Sequence, residues 1–529
     1  MLRHKILNHD NIYIFGLAFL GICLPLSKFG MSVAIFVLIG NWLLELEFKR
    51  KFRILWERKS LLIFISIILV HLIWLLNTDD FQYAFRDIRI KLPLLVLPLV
   101  MGTSKSISTT QLKVVILSFI GGVLAASIAS MVVLLSYSGE VISDIRDISI
   151  FISHIRFSLL VNIAIFSLGY LIYKYQDWNN KLEPVIYSLL LCWLVLFIFI
   201  LQSLTGMVIL VVSGFLASFL WIRKVSNFML KYFLIIALVT IPLIILAYVS
   251  RGVVNFYRIS EPDQENIEAS TLNGNPYFHD FENKQVENGQ YIWLYVCEKE
   301  LEKEWITRSQ YDYSGLDDRK QYIKYTLIRY MTSRGFRKDS VGVSRLTSSD
   351  IKYIEQGITN FKYWHGSGLE YQLYQVIWQV DVYRKGGVAS GHSVTQRLEF
   401  LKTSFQIISD NFWFGVGTGD IQKAFDIQYE ENDSPLTARW RLRAHNQFVT
   451  FFISFGAFGF LYCMFAFLYP LFYENKLNDY WFMMFLVIAF LSMLNEDTIE
   501  THAGVTFFSY FYSLFLFARD NRWMKIDVT

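Results

Sequence analysis

Charge is scarce in this sequence: Asp, Glu, Lys and Arg make up 18% of 529 residues, while 54% are hydrophobic and 17% aromatic. With a mean hydropathy of +0.37, the chain falls outside the soluble globular classes, in which about 25% of residues are charged. A membrane protein is expected. Cysteine is also sparse. Cys23, Cys192 and Cys463 lie in apolar runs and only Cys297 lies in polar sequence, which excludes a disulfide framework. Internal repeats and low-complexity segments are absent. The small net charge of +4 is not gathered into a basic domain, so nucleic acid is not an expected partner.

What is present is a series of apolar runs suited to a lipid bilayer. Twelve, at 11–26, 29–46, 60–77, 91–103, 112–137, 148–173, 185–201, 205–222, 230–250, 446–472, 480–495 and 503–518, read as helices crossing roughly 30 Å of hydrocarbon. The run at 91–103 is short and follows an amphipathic piece, Phe81 to Lys91, suited to the interface. Alternating the short loops with the N-terminus inside puts 19 Lys and Arg on the cytoplasmic side and 5 (Lys28, Arg86, Arg89, Lys91, Arg146) outside, so an even number of spans with both ends inside is expected. The first run lacks a small-residue cleavage site and reads as a retained anchor.

The charge missing from the spans sits in one insertion. Residues 251–445 hold 24 of the 49 Lys and Arg and 26 of the 45 Asp and Glu. The expected division is therefore 1–250 with nine spans, 251–445 as an external, mainly helical domain, and 446–529 with three spans and a cytoplasmic tail. A stretch of this length is too long for a structureless connection. Turn signals recur in it at Asn273-Gly274-Asn275-Pro276, Glu287-Asn288-Gly289, Gly366-Ser367-Gly368 and Gly386-Gly387, and Glu298 to Trp305 reads as a charged helix.

Several residues stand out against this background. Arg156 falls about eight residues inside the sixth run, a costly place for a charge; it either serves a site, snorkels to the interface or pairs with a carboxylate such as Asp144 or Asp147. His154 lies just before it and reads as interfacial. From Arg397 the apolar residues Leu398, Leu401, Phe405 and Ile408 follow helical spacing, predicting a helix laid on the membrane face with Arg397 near its start. Gly415-Val416-Gly417-Thr418-Gly419-Asp420 reads as a tight turn or, on weaker grounds, a phosphate-cradling loop, since no Walker lysine accompanies it. Arg441, Arg443, His445 and Asn446 then lead into the tenth run, where an anionic headgroup would sit.

Taken in order, these features resemble the bacterial O-antigen ligase and polymerase superfamily: an arginine in the sixth span, a large external loop before the tenth, an arginine opening a late amphipathic helix, a Gly-x-Gly turn, and His445-Asn446 opening a span that contains Gly456-Ala457-Phe458-Gly459. The topology matches over most of the chain, the motifs over about 153–162 and 395–460, while Glu287-Asn288-Gly289 and Thr332-Ser333-Arg334-Gly335 depart from the family pattern. The resemblance implies a GT-C-like all-α polytopic fold with about 12 transmembrane helices in the bacterial inner membrane and a periplasmic active site. The implied donor is a glycan on undecaprenyl pyrophosphate and the acceptor lipid A core, with Arg156, Arg397 and His445 as catalytic residues. His154, Arg441, Arg443, Asn446, Gly417 and Gly419 are the expected substrate-binding residues. The chemistry agrees, because guanidinium groups bind pyrophosphate oxygens in pairs and stay charged when desolvated, and histidine has the pKa of a general base near neutrality.

No metal or cofactor is expected. Rival membrane glycosyltransferases hold a divalent metal on acidic residues of the first external loop, which here is Pro25-Leu26-Ser27-Lys28-Phe29. The chain has no Asp-x-Asp, and Asp280-Phe281-Glu282 is explained by a solvated loop. Asn495-Glu496-Asp497 with Glu500 and His502 sits on the last external turn, suited either to sugar or to an arginine counter-charge. The alternatives are an O-antigen or capsule polymerase, a protein O-oligosaccharyltransferase, or a polysaccharide transporter. The last is disfavoured because the spans carry few ionisable groups.

Overall fold

Backbone amides in hydrocarbon have no water to bond, so a single crossing segment satisfies them within itself as a helix. The computed structural model describes residues 8–136, 148–174, 182–222, 225–259, 261, 267–362, 369–384 and 389–519, and each of the twelve apolar runs is helical over most of its length. In chain order the helices are α1 (His9–Leu26), α2 (Lys28–Leu44), α3 (Phe48–Glu57), α4 (Lys59–Ile65), α5 (Ile67–Ile73), α6 (Phe81–Lys91), α7 (Pro93–Thr103), α8 (Thr109–Ser136), α9 (His154–Lys174), α10 (Leu182–Ile200), α11 (Leu204–Ile222) and α12 (Phe228–Tyr257). A hairpin of β1 (Val286–Glu287) and β2 (Gln290–Tyr291) follows, then α13 (Glu298–Ile306), α14 (Ile323–Ser333), α15 (Ser340–Ser344), α16 (Ser348–Glu355), α17 (Leu369–Arg384), α18 (Ser393–Asp410), α19 (Ile421–Glu431), α20 (Gln447–Tyr473), α21 (Tyr480–Met493) and α22 (His502–Leu516).

The described chain is mostly helical, with several helices of the length and composition found in multi-pass membrane proteins. Among the described residues, eight helical segments are long and apolar enough to cross a membrane, nine if α2 and α3, which meet at a bend of 109°, count as one. That is fewer than the twelve expected. Helices α7, α21 and α22 have 11, 14 and 15 residues, and at 1.5 Å per residue they fall short of roughly 30 Å.

The described chain divides into two compact units, Met1–Ser226 with Ala389–Thr529, and Asn227–Val388. The bounds differ from the expected 251–445: α12 belongs to the second unit, and 389–445, counted with the insertion, packs within the first. The first unit is built around α22, every residue of which from Ala503 to Leu516 is buried. Phe64 stacks on Tyr512 at 4.2 Å between ring centroids, and the Tyr510 and Tyr512 hydroxyls donate to the carbonyls of Leu17 and Phe467 at 2.9 and 2.7 Å. At one end of this core the fully buried Arg58 bonds Glu474 at 2.8 Å and the Phe517 carbonyl at 3.0 Å. In the second unit no residue of α12 is buried, and a separate apolar core closes around Trp305, whose indole N–H donates to the Tyr311 carbonyl at 2.9 Å. The charged stretch from Glu298 is helical, as α13. The turn signals at 366–368 and 386–387, and Asp144 and Asp147 as partners of Arg156, lie outside the described residues.

Candidate functional site

Three elements of the first unit bring charged side chains together: the first turns of α18, the approach to α20, and the turn 494–501 between α21 and α22. Helix α18 presents its row inverted. Leu398 and Phe405 are 42% and 62% exposed, while Gln396, Glu399, Thr403 and Ser404 are buried. Phe400 and Ile407 are buried with them, so the inner face is mixed, and the outward row that carries Leu398 and Phe405 suits a membrane surface. Arg397 lies between the two faces, and one guanidinium nitrogen reaches Glu496 Oε1 at 3.1 Å.

His445 precedes α20 with φ +48°, a left-handed conformation uncommon outside glycine and of the kind that gathers at functional sites. Asn446 follows as N-cap, its side chain accepting from the amides of Phe448 and Val449 at 3.0 and 3.2 Å and donating to the Leu494 carbonyl at 3.0 Å. That cap explains why α20 begins here, and it ties the start of the helix to the acidic turn. The His445 ring stacks on Phe400 of α18 at 5.5 Å and points Nδ1 at Glu496 Oε2, 3.6 Å away. Glu496 thus stands between Arg397 and His445. Burial works against its charge, but the His445 ring and the Arg397 and Arg156 guanidiniums outweigh burial and hold the carboxyl below the usual carboxylate range.

Arg156 is not eight residues deep. Residues 148–153 are irregular and α9 begins at His154, so Arg156 occupies the first turn, at the mouth of the span, where a charge costs far less than at mid-depth. It donates to the Ser153 hydroxyl at 3.4 Å and lies within the electrostatic reach of Glu496 and Asp497. His154 opens the same helix, half-buried.

A second cluster escaped the sequence reading. Lys91 is 2% exposed and grips Asp87 at 2.7 Å and Glu500 at 3.0 Å. Gln447 donates to Glu500 at 2.8 Å and accepts from the Ile499 amide at 2.8 Å, and Thr450 donates to Asp497 at 2.7 Å. Arg443 belongs here, bonded to the Tyr83 hydroxyl at 2.9 Å and 3.8 Å from Glu500. Although burial opposes it, the Lys91 and Arg443 charges hold Glu500 down to about 2, whereas burial pushes Asp87 up to about 6 despite Lys91. The signal in the sequence was the spacing of Ala84, Asp87 and Lys91, the buried face of α6. Arg441 is turned to its own loop, donating to the Leu436 carbonyl at 3.2 Å.

The glycine run is a packed turn. Helix α20 breaks at Gly456 (φ +60°), and the carbonyls of Ile453 and Ser454 accept from the amides of Val416 and Gly417 at 2.8 and 2.9 Å. The Gly419 amide donates to the Thr78 hydroxyl at 3.3 Å. A Cβ on Gly417 (φ +95°) would stand 2.0 Å from the Asn77 carbonyl oxygen, and one on Gly456 2.3 Å from the Trp413 backbone. With these amides engaged internally, Gly417 and Gly419 do not form a phosphate cradle; they seat the loop against the break in α20.

Among the described residues no three His, Cys, Asp or Glu side chains converge as a metal site. No curated protein matches the chain. Residues 357–464 match the family model described as O-antigen ligase, and this segment contains Arg397, the glycine turn, Arg441, Arg443, His445 and the break at Gly456. Over this segment the chain is similar to the O-antigen ligase superfamily.

Proposed function

We propose that this protein transfers a glycan from undecaprenyl pyrophosphate to lipid A core at the periplasmic face of the inner membrane, by inverting, metal-independent displacement. The observation that carries the reading is the convergence of Arg397 and His445 on Glu496, with Arg156 in electrostatic reach. Glu496 is the counter-charge of Arg397, and the Arg397 Nε is buried with no hydrogen-bond partner among the described residues. An arriving pyrophosphate offers that guanidinium paired oxygens. Glu496 also lies close enough to Nδ1 to orient the His445 ring once the site tightens around substrate, as catalytic hydrogen bonds often do. The opposite ring nitrogen then takes the acceptor hydroxyl proton while the acceptor oxygen bonds the anomeric carbon. The bond from that carbon to the pyrophosphate breaks, and the charge gathering on the departing group falls to Arg397 and Arg156. Glu500, another conceivable base, is unsuited to the role because Lys91 and Gln447 occupy its carboxylate and the Lys91 and Arg443 charges depress its basicity.

Analysis of lipopolysaccharide and lipid-linked glycan in a deletion strain tests the assignment. Long chains missing from lipid A core but accumulated on the lipid carrier are the expected outcome; single repeats capping the core would make the enzyme a polymerase. Purified protein is expected to keep its transfer activity in excess EDTA, and activity lost and then restored by magnesium or manganese would overturn the arginine-based mechanism.

A further inference from the structure

The second unit contains a cleft of about 920 Å³, near the top of the range of roughly 300–1,000 Å³ usual for small-molecule sites. It lies between the C-terminal turns of α12 and helix α17, which approach so closely at Gly252 that a Cβ there would stand 2.5 Å from Leu373. The β1–β2 hairpin supplies the third side. Asn288 and Gly289 have φ +49° and +80°, the pair of positive φ values that a two-residue hairpin turn needs. A Cβ on Gly289 would meet the Arg258 carbonyl oxygen at 2.4 Å, so only glycine lets the hairpin seat against the end of α12. Asn288 in turn accepts from the Tyr374 hydroxyl of α17 at 2.8 Å. The cleft is therefore preformed, its three sides packed against one another, with the Phe256 ring of α12 5.3 Å from that of Tyr374.

We infer that this cleft binds an anionic saccharide. Tyr248, Tyr257, Tyr374 and Trp378 contribute flat aromatic surface to its lining, while Asn255, Asn283 and Gln285 contribute amides that both donate and accept, as sugar hydroxyls require. Four cations line it, Arg251, Lys284, Arg329 and Lys362, against two carboxylates, Glu287 and Asp381. Glu287 is already occupied by Arg329 at 2.9 Å and Asn360 at 2.8 Å. Lys362 lies 5.1 Å over the Tyr374 ring, and neither Arg251 nor Lys362 has an ion-pair partner among the described residues. Unneutralised cations beside aromatic and amide groups fit a sugar carrying carboxylate or phosphate better than a neutral one. The saccharide class rests on the transferase reading; the cleft and its charge do not.

The test uses the full chain in phosphatidylcholine nanodiscs with fluorescent tetragalacturonate and, as the neutral counterpart, maltotetraose. Tetragalacturonate is expected to bind at least about tenfold more tightly, and Arg251→Glu and Lys362→Glu each to weaken it about tenfold or more, the scale of one charge-assisted contact. Arg397→Lys and His445→Ala are expected to leave this binding unchanged, so a failure of the transferase reading would show in transfer assays and not here. Equal affinity for the two saccharides, or no effect of either charge reversal in monodisperse protein, overturns the inference. So does loss of binding when phosphatidylglycerol is included, which would identify a lipid headgroup as the occupant.

Discussion

At the scale of single residues, the decisive property of Arg397 is its shape rather than its charge. Lysine retains the charge but not the planar fork, so Arg397→Lys is expected to lose about 2–4 kcal/mol of transition-state stabilisation, roughly 30-fold to 1000-fold in rate, in a purified transfer assay. His445→Ala is expected to lower turnover while leaving donor binding nearly intact, because a general base acts mainly in the transition state. Wild-type transfer by a His445→Ala protein at normal membrane abundance would make the ring structural. Arg397 and His445 were legible as single residues because arginine before an amphipathic stretch and histidine at the mouth of a span are both conspicuous. Glu496 could not be assigned a partner from its position 51 residues further along the sequence than His445; only the packing of the turn 494–501 against α18 and α20 sets it between them.

At the scale of elements, two devices hold the site. The first is the buried group on α6: Lys91 joins Asp87 to Glu500, and through Gln447 the start of α20 is tied to the acidic turn. Lys91→Met leaves two buried carboxylates without their cation and is expected to destabilise the protein by about 3–5 kcal/mol, read as a lower unfolding temperature in detergent. The pH response follows from Glu500. Its carboxyl is depressed from 4.5 to about 2, so the stability it contributes is complete above its ordinary pKa and is lost as pH falls from 4.5 towards 2; a melting temperature unchanged over that interval would exclude the contribution. The second device is the loop seated on the broken α20. Gly456→Ala forces a Cβ into the Trp413 backbone at a positive φ and is expected to reduce both folded protein and transfer, whereas Gly121→Ala, with open space around its Cβ, should change neither.

At the scale of the whole molecule, the distribution of charge predicts the orientation. Reporter fusions after Lys59, Lys181 and Thr529 are expected to report the cytoplasm and a fusion at Gly387 the periplasm, following the 19 to 5 division of Lys and Arg. A cytoplasmic signal at Gly387 would move the proposed site to the wrong side for a periplasmic acceptor. The inserted unit places its own apolar core around Trp305 beside a helix, α12, with no buried residue.

Composition and periodicity determined that this is a helical membrane protein, where its apolar runs lie and which few polar residues interrupt them, because the exclusion of unpaired backbone and charge from hydrocarbon acts on each segment by itself. Tertiary structure decided the rest. The depth of Arg156 depended on where α9 begins, and the role of the glycine turn on whether another backbone had already taken its amides. The division of the late charges into a half-buried group around Glu496 and a fully buried one around Glu500 depended on contacts between residues up to 409 apart in the chain. Charge pairing acts over a few ångströms in space, and sequence separation carries no information about which groups come that close.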